Sequence, residues 1–157
     1  MVGAERKKKQ LRQKGRSFKP ILLVFVFLLI CIPSVWLAVV RMEGTAPESE
    51  IAMESVFVGA SRSVTLTVSD SGSGDRKISM SLLTTDGEFE ILQRTFPSAG
   101  FFAGGKEKTV TVTATVSPEA LGVSDGVGRL HVTAWDYALR NWGKGNRGES
   151  ETQIHID

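Results

Sequence analysis

The sequence predicts an all-β fold carried behind one apolar helix. Three observations point there: a charge-free run of 21 residues near the start, a period-two alternation of apolar and polar residues through the rest, and Gly-, Ser- and Asp-rich breaks at short intervals. Alternation at period two is the mark of a half-buried strand, and the breaks are where such strands turn.

The apolar run is Pro20 to Val40, PILLVFVFLLICIPSVWLAVV. A helix rises ~1.5 Å per residue and the hydrocarbon core of a bilayer is ~30 Å thick, so the run is long enough to cross once. Inside a bilayer the backbone must satisfy its own hydrogen bonds, which predicts a helix. Pro33 removes one donor, a loss that membrane helices tolerate. A cleaved secretory signal fits poorly, because its apolar region covers only about 7–15 residues before a small-residue site. Ala38 and Val40 make a poor site, and Gly44-Thr45-Ala46 is followed by Pro47. Cys31 follows Leu28-Leu29-Ile30, without the small residue that a lipoprotein signal places there. An uncleaved signal anchor is the expectation.

Charge sets its direction. Arg6, Lys7, Lys8, Lys9, Arg12, Lys14, Arg16 and Lys19 precede the run against the single anion Glu5. Cytoplasmic flanks retain positive charge, so the N-terminus is expected in the cytoplasm and residues 41–157 outside it. A basic arm of this kind also suits nucleic acid or anionic lipid, but beside a single span the topology signal needs nothing further. The net charge of +2 divides into +7 over the first forty residues and −5 over the remainder. A mildly acidic outer part argues against a nucleic-acid partner. The one cysteine lies in the span, so no disulfide or cysteine-based metal site is expected outside it.

The organisation read from the chain is a basic arm over 1–19, the span over 20–40, a polar linker over 41–49 and one β domain over 50–157. Ser63 to Val68 alternates, with Val64, Leu66 and Val68 on one face; Lys108 to Val116 repeats this with Val110, Val112, Ala114 and Val116; Arg129 to Trp135 places Leu130, Val132 and Ala134 together. Weaker strands are read at Ile51–Val58, Lys77–Thr84, Glu88–Phe96 and Thr152–Ile156. Asp86-Gly87 signals a hairpin, Ser69 to Gly74 a turn cluster, and Ser117-Pro118 through Gly122 one capped helical turn. Seven strands at this spacing predict a seven-strand immunoglobulin-like antiparallel β-sandwich, with another antiparallel sandwich or small barrel as the alternative.

Chemistry is sparse. His131 and His155 fall on outward strand positions and supply too few ligands for zinc. No nucleophile elbow or phosphate loop occurs. Asp70, Asp75, Asp136 and Asn146 fall on loops. Their oxygens suit Ca²⁺, but Asp and Asn are also the ordinary turn residues, and the turn reading is the simpler one. Phe101, Phe102, Tyr137 and Trp142 lie in loops with Lys144 and Arg147 nearby. They either close the end of the domain or form a contact surface for the membrane or a partner.

Two segments carry a resemblance. Val68 to Gly74, with Asp70 ahead of Ser73-Gly74, and Val132 to Asn146, with Ala134, Asp136, Tyr137, Arg140-Asn141-Trp142 and Gly145-Asn146, look like signatures of bacterial Ig-like domains. With the basic arm and single span, the layout resembles the non-catalytic N-terminal region of membrane-anchored, lysostaphin-like zinc endopeptidases that cut peptidoglycan. The resemblance implies a bacterial inner-membrane protein with its domain in the periplasm, and with the cytoplasmic membrane, peptidoglycan or an envelope protein as partner. That family's H-x-x-x-D and H-x-H zinc motifs would lie beyond Asp157, so no catalytic residue and no cofactor is expected within 1–157. The alternatives are a stand-alone membrane-anchored interaction protein and an enzyme whose catalytic domain lies elsewhere.

Overall fold

The computed structural model describes residues 18–157, which fall into two compact units dividing after Val35. Of the basic arm, Arg6, Lys7, Lys8, Lys9, Arg12, Lys14 and Arg16 lie outside the described residues, and Lys19 opens the first helix. That helix, α1 (Lys19–Arg41), runs through Pro33 without interruption and is long and apolar enough to span a membrane. Among the described residues its side chains from Ile21 to Val40 are almost all exposed.

The remainder is strand-rich. In chain order the elements are β1 (Glu48–Ala52), β2 (Phe57–Val58), β3 (Arg62–Ser69), β4 (Asp75–Thr84), β5 (Gly87–Thr95), β6 (Ser98–Gly100), β7 (Gly104–Gly105), β8 (Thr109–Val116), the short helix α2 (Pro118–Leu121), β9 (Gly126–Asp136), the short turn α3 (Arg140–Gly143) and β10 (Arg147–Ile156). They form a three-stranded sheet β1-β3-β8, a five-stranded sheet β2-β10-β9-β4-β5 and a small ribbon β6-β7. One apolar core joins the two larger sheets: Val64, Leu66, Val68, Val110, Val112 and Val116 from the first, Ile78, Met80, Leu82, Leu130, Val132 and Ile154 from the second. Every second residue of β3 and β8 is buried, as the alternation requires. Ser49 and Ser150 meet through their hydroxyls at 2.8 Å, tying β1 to β10.

Four expectations change. The strand read at Ile51–Val58 is two strands in two sheets: β1 pairs antiparallel with β3, and β2 pairs parallel with β10. The chain crosses between sheets at Met53–Val56, where the Ser55 hydroxyl accepts from Phe57 N at 3.1 Å and holds the bend. The first strand also begins earlier than read, inside the expected linker. Ser117 opens α2 without a side-chain cap; the turn is held by Pro118 at its first position and by Gly122 at φ 68. Thr133, expected to face water, is 4% exposed, and the His131 side chain only 18%. Both lie on β9, between β10 and β4 in the five-stranded sheet, and the Thr133 hydroxyl meets His131 Nε2 at 3.1 Å.

Candidate functional site

The loops at one end of the β domain are stitched together by the backbone. Asp70 N donates to Lys108 O (2.8 Å), Asp75 N to Glu107 O (2.8 Å), Gly105 N to Ser73 O (2.6 Å) and Tyr137 N to Gly74 O (3.0 Å). The segments 69–76, 96–108 and 136–147 therefore share one end. Arg41 joins them: it is buried, its Nη2 donates to Tyr137 O at 2.8 Å, and its carbonyl accepts from Leu139 N at 2.7 Å. Gly104 has φ 81, and a Cβ there would meet the Arg41 guanidinium and Ser73 O, so only glycine fits.

Asp70, Asp75, Asp136 and Asn146 come together at this end. The strands dictate three of these placements. Asp70 continues the inward series Val64, Leu66, Val68, and Asp136 continues Leu130, Val132, Ala134, so each carboxylate enters from the rim of a core face. Asp75 would point outward by the alternation of β4. The register shifts between Asp75 and Lys77, making Arg76 the bulged residue, and that turns Asp75 inward opposite Asp136. All three are buried, at 2%, 0% and 0% exposure.

Their partners differ. Asp70 is bonded within its own turn, Oδ1 accepting from Gly72 N at 3.2 Å and Oδ2 accepting from Gly74 N. Asp136 Oδ1 accepts from Ala138 N (3.0 Å) and Asn146 N (2.6 Å), and its Oδ2 from Asn146 Nδ2 (2.8 Å). Asn146 Nδ2 also faces the carbonyls of Glu43 and Thr45, each at 3.1 Å. Three acceptors around that nitrogen fix the amide orientation. Asn146 therefore positions Asp136 and the linker through its nitrogen rather than offering an oxygen to a cation at that point. Asp75 alone has neither side-chain oxygen hydrogen-bonded. Burial, then the charges of Asp70 and Asp136, push its carboxyl up from 3.8 to about 7.

Glu43 belongs to the same group and was not singled out by the sequence. Its Oε1 accepts from Ser73 N, and one carboxylate oxygen each from Glu43, Asp70 and Asp136 lie within 4.8 Å of one another. A glutamate in a polar linker carries no periodic signal; only the fold brings it over Gly72.

The aromatic loop residues separate into two kinds. Tyr137 is half-buried and its hydroxyl donates to Phe96 O at 2.7 Å, holding loop to loop. Phe101, Phe102 and Trp142 are 60%, 67% and 101% exposed, so these three rings do not plug the end of the domain. Asn141 and Trp142 stand at φ 49 and 59, a left-handed turn that few side chains adopt without cause. Lys144 is exposed, while Arg147 opens β10, pairs with Glu149 and stacks 5.7 Å over Trp135. Of the histidines, His131 contacts Glu151 at 3.0 Å and Thr133 at 3.1 Å, and His155 stacks on Phe57 at 5.3 Å.

No protein-family model and no curated protein matches this chain. Among solved structures it is similar to a β-glucosidase from Listeria innocua bound to glucose, at 14% identity and a TM-score of 0.44, over 70% of this chain and 16% of the enzyme. A β-glucosidase from Erythrobacter marinus matches at 14% and 0.40, over 72% of this chain and 15% of that one. An alkylpurine DNA glycosylase from Pseudomonas fluorescens, bound to DNA, matches at 10% and 0.39, over 92% and 41%. The chain thus spans only a small part of the glucosidases, and at these scores the likenesses carry no weight for its activity.

Proposed function

We propose that this chain is a membrane-tethered binding or spacer module, with an Ig-like β-sandwich standing in the periplasm. In this reading β1-β3-β8 and β2-β10-β9-β4-β5 are the two sheets of the sandwich, and α1 is a signal anchor in the inner membrane of a bacterium. Its role is to anchor and position a peptidoglycan endopeptidase whose zinc-dependent catalytic domain would follow residue 157. The observation that carries the reading is α1 itself, an apolar helix opened by Lys19 and preceded by the other seven arm cations. The cell-wall role rests on the sequence resemblance.

The exposed Phe101, Phe102 and Trp142, with the exposed Lys144 in the same loop as Trp142, favour a contact surface at the loop end, for the bilayer headgroups or an envelope partner close to them. This surface also fits the second reading, a stand-alone interaction protein of an envelope complex.

A reporter that works only after export, fused behind Asp157, tests the topology. Activity is expected, and neutralising the eight cations should scramble it; a reporter active only in the cytoplasm would overturn the proposal. Cosedimentation of the full chain with purified peptidoglycan sacculi separates the cell-wall role from the second reading. In reconstituted chain with Cys31 replaced, spin labels at Ala103 and Lys144 should lie nearer the headgroups than a label at Thr85 in the β4–β5 hairpin.

A further inference from the structure

We propose that Glu43, Asp70 and Asp136, with Asp75 beside them, hold one calcium ion at the loop end of the β domain, and that the ion fastens the segment following α1 to the strands. Three buried carboxylates at one end of a core, two of them directly opposite across an antiparallel pair, repel one another in a medium that screens poorly. Among the described residues no ion pair reaches any of them. The buried cation of this end, Arg41, donates Nη2 to Tyr137 O, while its Nε and Nη1 find no hydrogen bond among the described residues.

The second, independent observation is Asp75. Both of its oxygens are buried and accept no hydrogen bond, whereas Asp70, Asp136 and Glu43 are each held by backbone amides. A buried carboxylate with every lone pair free lacks a ligand of its own. The amide bonds on the other three fix those carboxylates while leaving each with spare lone pairs. All the donors are hard oxygens, with no histidine or cysteine in the group, which selects an alkaline-earth cation. Calcium fits better than magnesium, because the donors come from turns and a linker of no fixed octahedral geometry, and because magnesium gives up its water reluctantly. Glu43 is the only one of the four that lies ahead of β1. An ion shared between it and the three aspartates therefore bridges the linker and the domain. The proposal is independent of the cell-wall reading.

The rival account is that Asp75 stays protonated and no cation enters. Full-length chain in neutral detergent, stripped with chelator and titrated calorimetrically with CaCl₂ to about 10 mM, distinguishes the two; extracellular calcium modules bind at about 0.1–1 mM. One ion per chain is expected, with a raised melting midpoint and slower amide exchange over residues 42–46. Asp75→Asn removes charge but not volume and should weaken binding at least about tenfold. Glu43→Gln lies outside the strands, so it should weaken binding in a folded chain even if the Asp75 variant misfolds. No heat and no shift of the midpoint would overturn the proposal. So would an equal response to MgCl₂ or to NaCl at matched ionic strength, which is screening alone, or full calcium response in both variants.

Discussion

Asp75 gives the domain a pH dependence of unusual sign. Its carboxyl titrates near 3.8 when unfolded and at about 7 when folded, with Asp70 and Asp136 facing it and Glu43 and Arg41 at the same end. Between those values the folded chain keeps a proton that the unfolded chain releases. Its contribution to stability is therefore full below about pH 4, falls as pH rises, and is lost above about pH 7. In chelator, the melting midpoint of the full chain should show this decline, and Asp75→Asn should flatten it. At pH 8 the variant should be more stable by on the order of 1–3 kcal/mol, after the unmet hydrogen bonds of the new amide are counted. An unchanged pH profile in the variant would assign the decline elsewhere. The acidic group was only half legible in the sequence. Asp70 and Asp136 continue the inward parity of their strands, a signal present in the residues but masked by reading them as turn residues. Asp75 enters only through a bulge, and Glu43 only through tertiary placement.

At the scale of elements, β3, β8 and β9 were legible because each alternates over six or more residues with β-branched side chains. What escaped was everything decided between elements. The Met53–Val56 crossover depends on which sheet has a free edge, and the burial of Thr133 depends on β9 having neighbours on both sides. The core-facing register has a direct test. Leu66→Ala and Val132→Ala remove side chains that are 0% exposed, one in each sheet, and should each cost about 2–4 kcal/mol in thermal or denaturant melts. Thr113 is exposed on the outer face of β8, and Thr113→Ala should stay within about 0.5 kcal/mol. Equal losses at all three positions would refute the register.

For the whole molecule, the long apolar helix was readable from length and composition alone, since a charge-free run of that size carries no break. The gathering of three loops, Arg41 and the linker at one end of the domain was not, because it is fixed by long-range backbone bonds. One of those long-range features has a mechanical consequence. β2 lies parallel to β10, with His155 N donating to Val56 O at 2.8 Å and Asp157 N to Val58 O at 3.2 Å. Tension applied between α1 and residue 157 draws two side-by-side parallel strands past each other, so these bonds are loaded together in shear. An antiparallel arrangement would open them one at a time, like a zip. Single-molecule stretching between the two ends of the β domain should show a force peak that drops when Val58→Pro removes the local backbone donor and disrupts the strand. The same variant pulled between Thr85 and residue 157 should lose much less, because that geometry does not load β2 against β10. A chain held at α1 and at residue 157 would then yield to a steady pull only after this short parallel clasp has given way.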